Sequence, residues 1–167
     1  MARYITISLD KRGVSAVARL LDDVAPKTCA AVWDALPQSG AAYHAKYARN
    51  EIYALVPPFS AQEPGRENPT ITPIPGDVVY FSFEPWEIGN AAYGYQNDSA
   101  ARSGDRVIDL ALFYGRNNLL INGDAGFVPG NVFATIEEGL DGIAAAAQDL
   151  WLRGVEGESP TFRRKQD

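Results

Sequence analysis

The chain has 167 residues, of which 46% are hydrophobic and 22% charged, a composition typical of a globular protein. Its 15 basic and 21 acidic residues give a net charge of −6, which argues against a nucleic-acid-binding surface. A chain of this length can bury a core without a metal ion or disulfides, so we expect one domain over residues 1–167.

The sequence shows no pattern typical of export or membrane insertion. The N-terminus leads directly into a strand-like alternation, and the most apolar later stretch, residues 143–152, is too short to span a bilayer. The single cysteine, Cys29, excludes an intramolecular disulfide and fits a reducing compartment. We therefore predict a cytoplasmic protein that binds neither membranes nor nucleic acid.

In the first half of the chain, alternating side chains predict strands around one helix. Residues 4–21 have the pattern of a hairpin, with apolar side chains at every second position and a turn at its centre. Pro26 suits the first turn of a helix. Residues 43–49 and 51–56 predict a second pair of strands. The helix has one apolar stripe, at Cys29, Val32, Trp33 and Leu36.

The second half alternates between strands and long irregular segments. We predict strands at 78–83, 107–114, 132–137 and 161–164. Clusters of proline, glycine and polar residues predict irregular segments at 57–75, 84–106 and 115–130. A second helix should end at Gly154, with one face formed by Leu140, Ile143, Ala144, Ala147, Leu150 and Trp151.

The order of these elements resembles that of the cyclophilins. The resemblance is carried by Ala25-Pro26-Lys27-Thr28 at the first helix and by Glu138-Gly139-Leu140 before the second. The chain is more similar to an uncharacterised bacterial family of cyclophilin-like proteins, a domain of unknown function, in Gly76-Asp77, Tyr114-Gly115 and Gly130-Asn131. The resemblance implies a mainly β fold, a closed or nearly closed cyclophilin-like β-barrel of about eight strands with two capping α-helices.

The residues that cyclophilin isomerases use for catalysis are not found at the matching positions of this chain. Cyclophilin isomerases use an arginine, a phenylalanine, a methionine and a glutamine near the third and fourth strands, and a tryptophan and a histidine before the penultimate strand. The positions that match the last two fall near Ala125 and Gly130. Arg49 would have to act as a displaced arginine and Phe127 as a substitute aromatic wall. Prolyl isomerase is therefore our second alternative.

Polar side chains at the ends of two predicted strands suggest a ligand site. Glu51 and Tyr53 share one strand face, and Arg49 and Arg116 could bind an anion through their guanidinium groups. The apolar walls would come from Tyr80, Trp86 and Phe127. Our leading hypothesis is a non-isomerase barrel that binds, or acts on, a small anionic metabolite. The competing interpretation is that Tyr80 and Phe127 belong to the core and that Glu51 is solvated.

Other functional classes have weaker support. The first alternative is a structural protein that forms a homo-oligomer through Trp86, Tyr93 and Tyr95, because aromatic residues are enriched in interfaces. The glycine-rich residues 123–130 lack the Lys-Ser/Thr of a phosphate loop. One histidine, His44, and one cysteine are too few for a usual zinc site. We therefore expect no metal and no cofactor, and whether the protein is an enzyme stays open.

Overall fold

The computed structural model describes residues 1–166, which form twelve strands and two α-helices. The helices are α1 (Pro26–Ala35) and α2 (Leu140–Arg153). The strands are β1 (Tyr4–Leu9), β2 (Val14–Leu20), β3 (Gln38–Ser39), β4 (Tyr43–His44), β5 (Glu51–Val56), β6 (Pro69–Thr70), β7 (Asp77–Phe83), β8 (Val107–Phe113), β9 (Ile121–Asn122), β10 (Gly126–Phe127), β11 (Gly130–Glu138) and β12 (Pro160–Arg164).

Ten strands form one antiparallel sheet in the order β3-β12-β1-β2-β11-β7-β8-β5-β4, with β6 added beside β11. The remaining strands, β9 and β10, form a separate hairpin. The two edge strands β3 and β4 follow each other in the chain and are joined by residues 40–42 alone, so the sheet curls until its edges approach. The result is a strongly curled half-barrel with two helices, which confirms the predicted mainly β architecture.

The main core lies inside the curl of the sheet and against both helices. Strands from distant parts of the sheet contribute to it, which only a curled sheet allows. Its largest fully buried side chains include Ile7, Ile52, Leu110, Phe133, Ile143 and Phe162.

Cys29 belongs to this core, as its position on the apolar stripe of α1 predicted. Its Sγ donates a hydrogen bond to the carbonyl oxygen of Phe133 at 3.2 Å. Burial raises the pKa of this thiol to about 12.

A second core covers the opposite face of β5, β7 and β8. Both faces of β8 are therefore buried, and this explains the nearly continuous apolar run in its sequence. Alternate residues of β8 point to the two cores: Leu110 and Leu112 to the main core, Ala111 and Phe113 to the second. The segments at 84–106 and 115–130 cover the second core, with Ile88, Tyr95, Leu120 and Val128 packed against it.

The Gly130-Asn131 pair fastens the proline-rich segment 57–75 to the sheet. A side chain at Gly130 would lie 2.8 Å from Phe81 Cζ, so only glycine fits. The buried Asn131 Oδ1 accepts hydrogen bonds from the backbone N–H of Glu67 and of Asn68, at 3.2 and 2.8 Å. Its Nδ2 donates to Thr28 Oγ1 at 2.6 Å and to the Gly65 carbonyl at 2.9 Å.

Two details differ from the sequence-based expectation. The predicted strand 43–49 is a strand only at Tyr43–His44, because the chain turns away before Arg49, whose φ is 81°. Trp151 is exposed rather than part of the buried face of α2, and its ring lies 4.9 Å from that of His44. His44 Nε2 is hydrogen-bonded to the Tyr114 hydroxyl at 2.5 Å.

Within residues 1–166, no helix is both long enough and apolar enough to cross a membrane.

A candidate ligand cavity with two buried carboxyl groups

A cavity of about 120 Å³ opens on the loop-covered face of β5, β7 and β8. Glu51 and Tyr53 of β5 and Asp109 of β8 form part of its lining, beside Phe81 and Phe83 of β7. The loops add mainly apolar and aromatic side chains: Ile88, Tyr93, Tyr95, Leu120 and Val128. We call this space the carboxyl cavity.

Strand pairing brings the two carboxyl groups to the same face. β5 and β8 are antiparallel neighbours, with Glu51 opposite Phe113 and Leu55 opposite Asp109. Because side chains alternate along a strand, Glu51, Tyr53 and Asp109 all point away from the main core. Each of the two acidic residues is only 6% exposed.

The surroundings of both carboxyl groups favour their protonated, neutral forms. Burial raises the pKa of Glu51 to about 8. Burial raises the pKa of Asp109 well above its ordinary value, and the charge of Glu51 raises it further. Asp109 Oδ1 is buried and has no hydrogen-bond partner within the described chain. Such an oxygen is costly to leave unpaired, so it requires an explanation beyond packing.

Tyr53 and Tyr95 line the carboxyl cavity together with the two acids, and Tyr43 packs behind them. The Tyr53 hydroxyl is hydrogen-bonded to that of Tyr95, and the Tyr43 hydroxyl donates to Asp98 Oδ2 at 2.7 Å. The rings of Tyr43 and Tyr53 stack with centroids 5.4 Å apart. Burial raises the pKa of Tyr53 and of Tyr95, so both hydroxyls keep their protons at neutral pH. The wall therefore offers neutral polar groups without adding charge.

The segment 84–106 forms one wall of the cavity and leaves the space open. Lys46 Nζ, at the rim, donates to the carbonyl oxygens of Ala92 and Tyr93 at 2.8 and 3.1 Å. The Tyr93 hydroxyl donates to Asp124 Oδ2 at 2.7 Å, which joins this wall to the β9–β10 hairpin. The positive charge of Lys46 is thus already bound by protein carbonyl groups.

The structure brings together two of the four predicted ligand-binding residues. Glu51 and Tyr53 line the carboxyl cavity, whereas Arg49 and Arg116 are exposed and lie outside it. The guanidinium groups therefore do not reach the ligand space that was predicted for them. Sequence reasoning missed Asp109, although a lone acid within the apolar run of β8 is a detectable signal.

The three predicted wall residues are dispersed. Tyr80 packs into the main core and its hydroxyl donates to Glu63 Oε1 at 2.7 Å. Phe127 is 60% exposed and lines a neighbouring cavity. Trp86 is 80% exposed and lines neither cavity. The apolar walls come instead from Phe81, Phe83 and the loop residues given above.

The alternatives lose part of their support from the same geometry. Tyr93 and Tyr95 are engaged in hydrogen bonds around the carboxyl cavity, so only Trp86 of the three proposed interface residues projects freely. A prolyl isomerase would need Arg49 beside the ligand, and Arg49 lies outside the cavity. Within residues 1–166, no group of three His, Cys, Asp or Glu residues is arranged to hold a metal ion.

The curled sheet, the two helices and the cavity beneath the loops define a mainly β half-barrel protein. The chain belongs to a family of proteins of unknown function, DUF3830, whose model matches residues 7–162. The predicted membership of an uncharacterised family, a domain of unknown function, is thereby confirmed. No curated protein matches the sequence.

Three solved structures resemble the chain, each over 98% of its length. McbB in complex with tryptophan has a TM-score of 0.61 and 18% identity, and this chain spans only 45% of it. A hypothetical protein of Archaeoglobus fulgidus has a TM-score of 0.52 and 22% identity, with 95% of its chain covered. The mimivirus cyclophilin has a TM-score of 0.49 and 12% identity, with 86% covered. At these identities the likeness extends to the fold alone.

Proposed function

We propose that the carboxyl cavity binds a small molecule with a protonated amine on a compact apolar body. The observation that carries this proposal is the unpaired, buried Asp109 Oδ1 in a cavity that is also lined by a second buried carboxyl group, that of Glu51. Two like charges in a poorly solvated space repel each other, and a cation placed between them removes that cost. An ammonium group also supplies the hydrogen-bond donors that Asp109 lacks.

The expected ligand charge is therefore opposite to the one that the sequence predicted. An anionic metabolite would require arginines in the cavity, and Arg49 and Arg116 lie elsewhere. An anion would instead meet Glu51 and Asp109, whose ionised forms repel it. We retain the small-molecule part of the hypothesis and replace the anion with a cation.

The size of the cavity favours a ligand with about one ring or a short chain. Apolar cavities of roughly 150 Å³ in other proteins admit benzene, and the carboxyl cavity is comparable at about 120 Å³. McbB was solved with tryptophan, a molecule that has both an aromatic body and an amine. Glu51, with a pKa of about 8, could also deliver a proton to a bound ligand at neutral pH, as a general acid does.

Three probes of one shape and different charge test the proposal. We expect benzylamine to raise the melting temperature near pH 7, and benzyl alcohol and benzoate to have little or no effect. A ligand at a hundredfold excess over its dissociation constant stabilises the native state by about 2.7 kcal/mol, which a thermal-shift assay detects. Glu51→Gln and Asp109→Asn should each weaken benzylamine binding, since each removes a carboxylate that would face the ammonium group.

The matched control is Glu138→Gln, which removes an exposed acid on β11 far from the cavity lining. It should leave benzylamine binding as it is in the parent protein. Equal stabilisation by benzoate, or benzylamine binding that is unchanged in both cavity variants, would contradict the proposal.

The homo-oligomer remains a separate prediction, supported by the exposed ring of Trp86. Sedimentation over a wide concentration range tests it, and a strict monomer would remove it.

A further inference from the structure

A second cavity, of about 280 Å³, adjoins the carboxyl cavity. The two share five lining residues, Phe81, Phe83, Glu87, Asn122 and Val128. We call the second space the arginine cavity because Arg66 and Arg106 are among its lining residues. The two spaces therefore lie next to each other, and the rings of Phe81 and Phe83 border both.

The acidic groups of the arginine cavity already have partners within the protein. Glu63 accepts hydrogen bonds from the hydroxyls of Tyr80 and Ser82, at 2.7 and 3.1 Å. Glu87 Oε2 accepts one from the backbone N–H of Glu84 at 2.7 Å. Neither carboxylate needs a ligand to satisfy it.

The two arginines of the arginine cavity differ in whether each already has a partner of opposite charge. Arg106 forms an ion pair with Glu84 and donates to Ser82 Oγ at 2.8 Å. Arg66 lines the cavity and forms no ion pair with any residue of the described chain. Arg66 is thus the arginine of this cavity whose guanidinium group has no charged partner among residues 1–166, beside the hydrogen-bonded carboxylates of Glu63 and Glu87.

We infer that the two cavities bind one amphoteric ligand, with its amine at Glu51 and Asp109 and a carboxylate at Arg66. The apolar spacer of such a ligand would lie along Phe81 and Phe83, and the exposed ring of Phe127 borders its far end. A guanidinium group binds a carboxylate through two parallel hydrogen bonds, which suits this assignment. This inference rests on the proposed function, since it assumes the amine site.

A homologous series of ω-amino acids, from γ-aminobutyrate to ω-aminocaprylate, tests the inference against n-alkylamines of equal chain length. Calorimetry gives an affinity ratio of amino acid to amine at each length. We expect this ratio to exceed roughly tenfold at one chain length, because one charge-assisted contact is gained there. In Arg66→Gln the ratio should fall to one or below. In Arg116→Gln, which changes an arginine outside both cavities, the ratio should persist.

The amino-acid series and the alkylamine series together distinguish failure of this inference from failure of the proposed function. Alkylamines that bind through Glu51, with amino acids no tighter at any length, would overturn the amphoteric ligand and leave the amine site standing. A ratio that survives Arg66→Gln would overturn it as well. If neither series binds, both the amine site and the amphoteric ligand are wrong.

Discussion

Glu51→Gln is expected to make the ligand-free protein more stable in mildly alkaline solution, by roughly 2–4 kcal/mol at about pH 8, and Asp109→Asn is expected to change stability in the same direction. Burial raises the pKa of Glu51 from an ordinary value of 4.5 to about 8 and raises that of Asp109 in the same direction. Between those values the native state binds more protons than the unfolded chain. Stability therefore falls as the pH rises, by up to about 1.4 kcal/mol per pH unit for each group.

The variants remove this dependence because an amide of the same shape carries no charge at any pH. The neighbouring Tyr53 and Tyr95 do not interfere, since their raised pKa values keep them neutral over the same range. Lys46 and Glu87 also line the cavity and are present in every protein compared.

Urea unfolding from about pH 5 to about pH 9 measures the effect. The parent protein and the control Glu138→Gln should lose stability as the pH rises, and the two cavity variants should show a smaller slope. A parent protein whose stability stays constant or increases over this range would show that the carboxyl groups are not held protonated. The two variants also separate function from stability, because they should fold better and bind amines worse.

Asn131→Ala should produce the second large effect, a loss of about 3–5 kcal/mol in the free energy of unfolding. The Asn131 side chain makes hydrogen bonds to four groups, in the proline-rich segment and in α1. Alanine would leave two backbone N–H groups and the Gly65 carbonyl without a partner on the protein side. Asn131→Asp keeps the acceptor and loses both donor contacts, so an intermediate loss is expected.

Asn97→Ala, a change in an exposed turn, is the matched control and should alter stability by less than about 0.5 kcal/mol. Limited proteolysis gives a second measurement, since residues 57–75 should become sensitive to cleavage in Asn131→Ala. A loss below about 1 kcal/mol, with the segment still protected, would mean that Asn131 does not hold it in place.

Local periodicity explains why part of the fold is readable from the sequence. The hairpin of β1 and β2 and both helices have a single buried face, so their apolar spacing reports their structure directly. The residues after Tyr43 also alternate, yet the chain turns there to build the rim of the carboxyl cavity. Alternation alone does not distinguish a strand from a turn that happens to carry the same pattern.

The candidate site depends on pairings that no short stretch of sequence contains. Glu51 and Asp109 line the same cavity because β5 and β8 pair, and this pairing is set by the whole sheet. Arg116 follows a strand end as predicted, and Arg49 lies in the turn before β5 rather than in a strand, but neither lines the cavity. The Gly130-Asn131 motif was visible as a pattern, whereas its cause, close packing on Phe81 and four side-chain hydrogen bonds, appears only in three dimensions.

The burial of Cys29 makes the rate of its chemical labelling a measure of how often the native protein opens around α1. With a pKa of about 12, the thiol is almost wholly protonated at neutral pH, and the packing of α1 on the sheet keeps alkylating reagents away from it. Its labelling must therefore wait until the structure around α1 opens, and the rate in native buffer reports the free energy of that opening. Because Cys29 is the single cysteine of the chain, the labelling rate reports on this one position and requires no engineered probe.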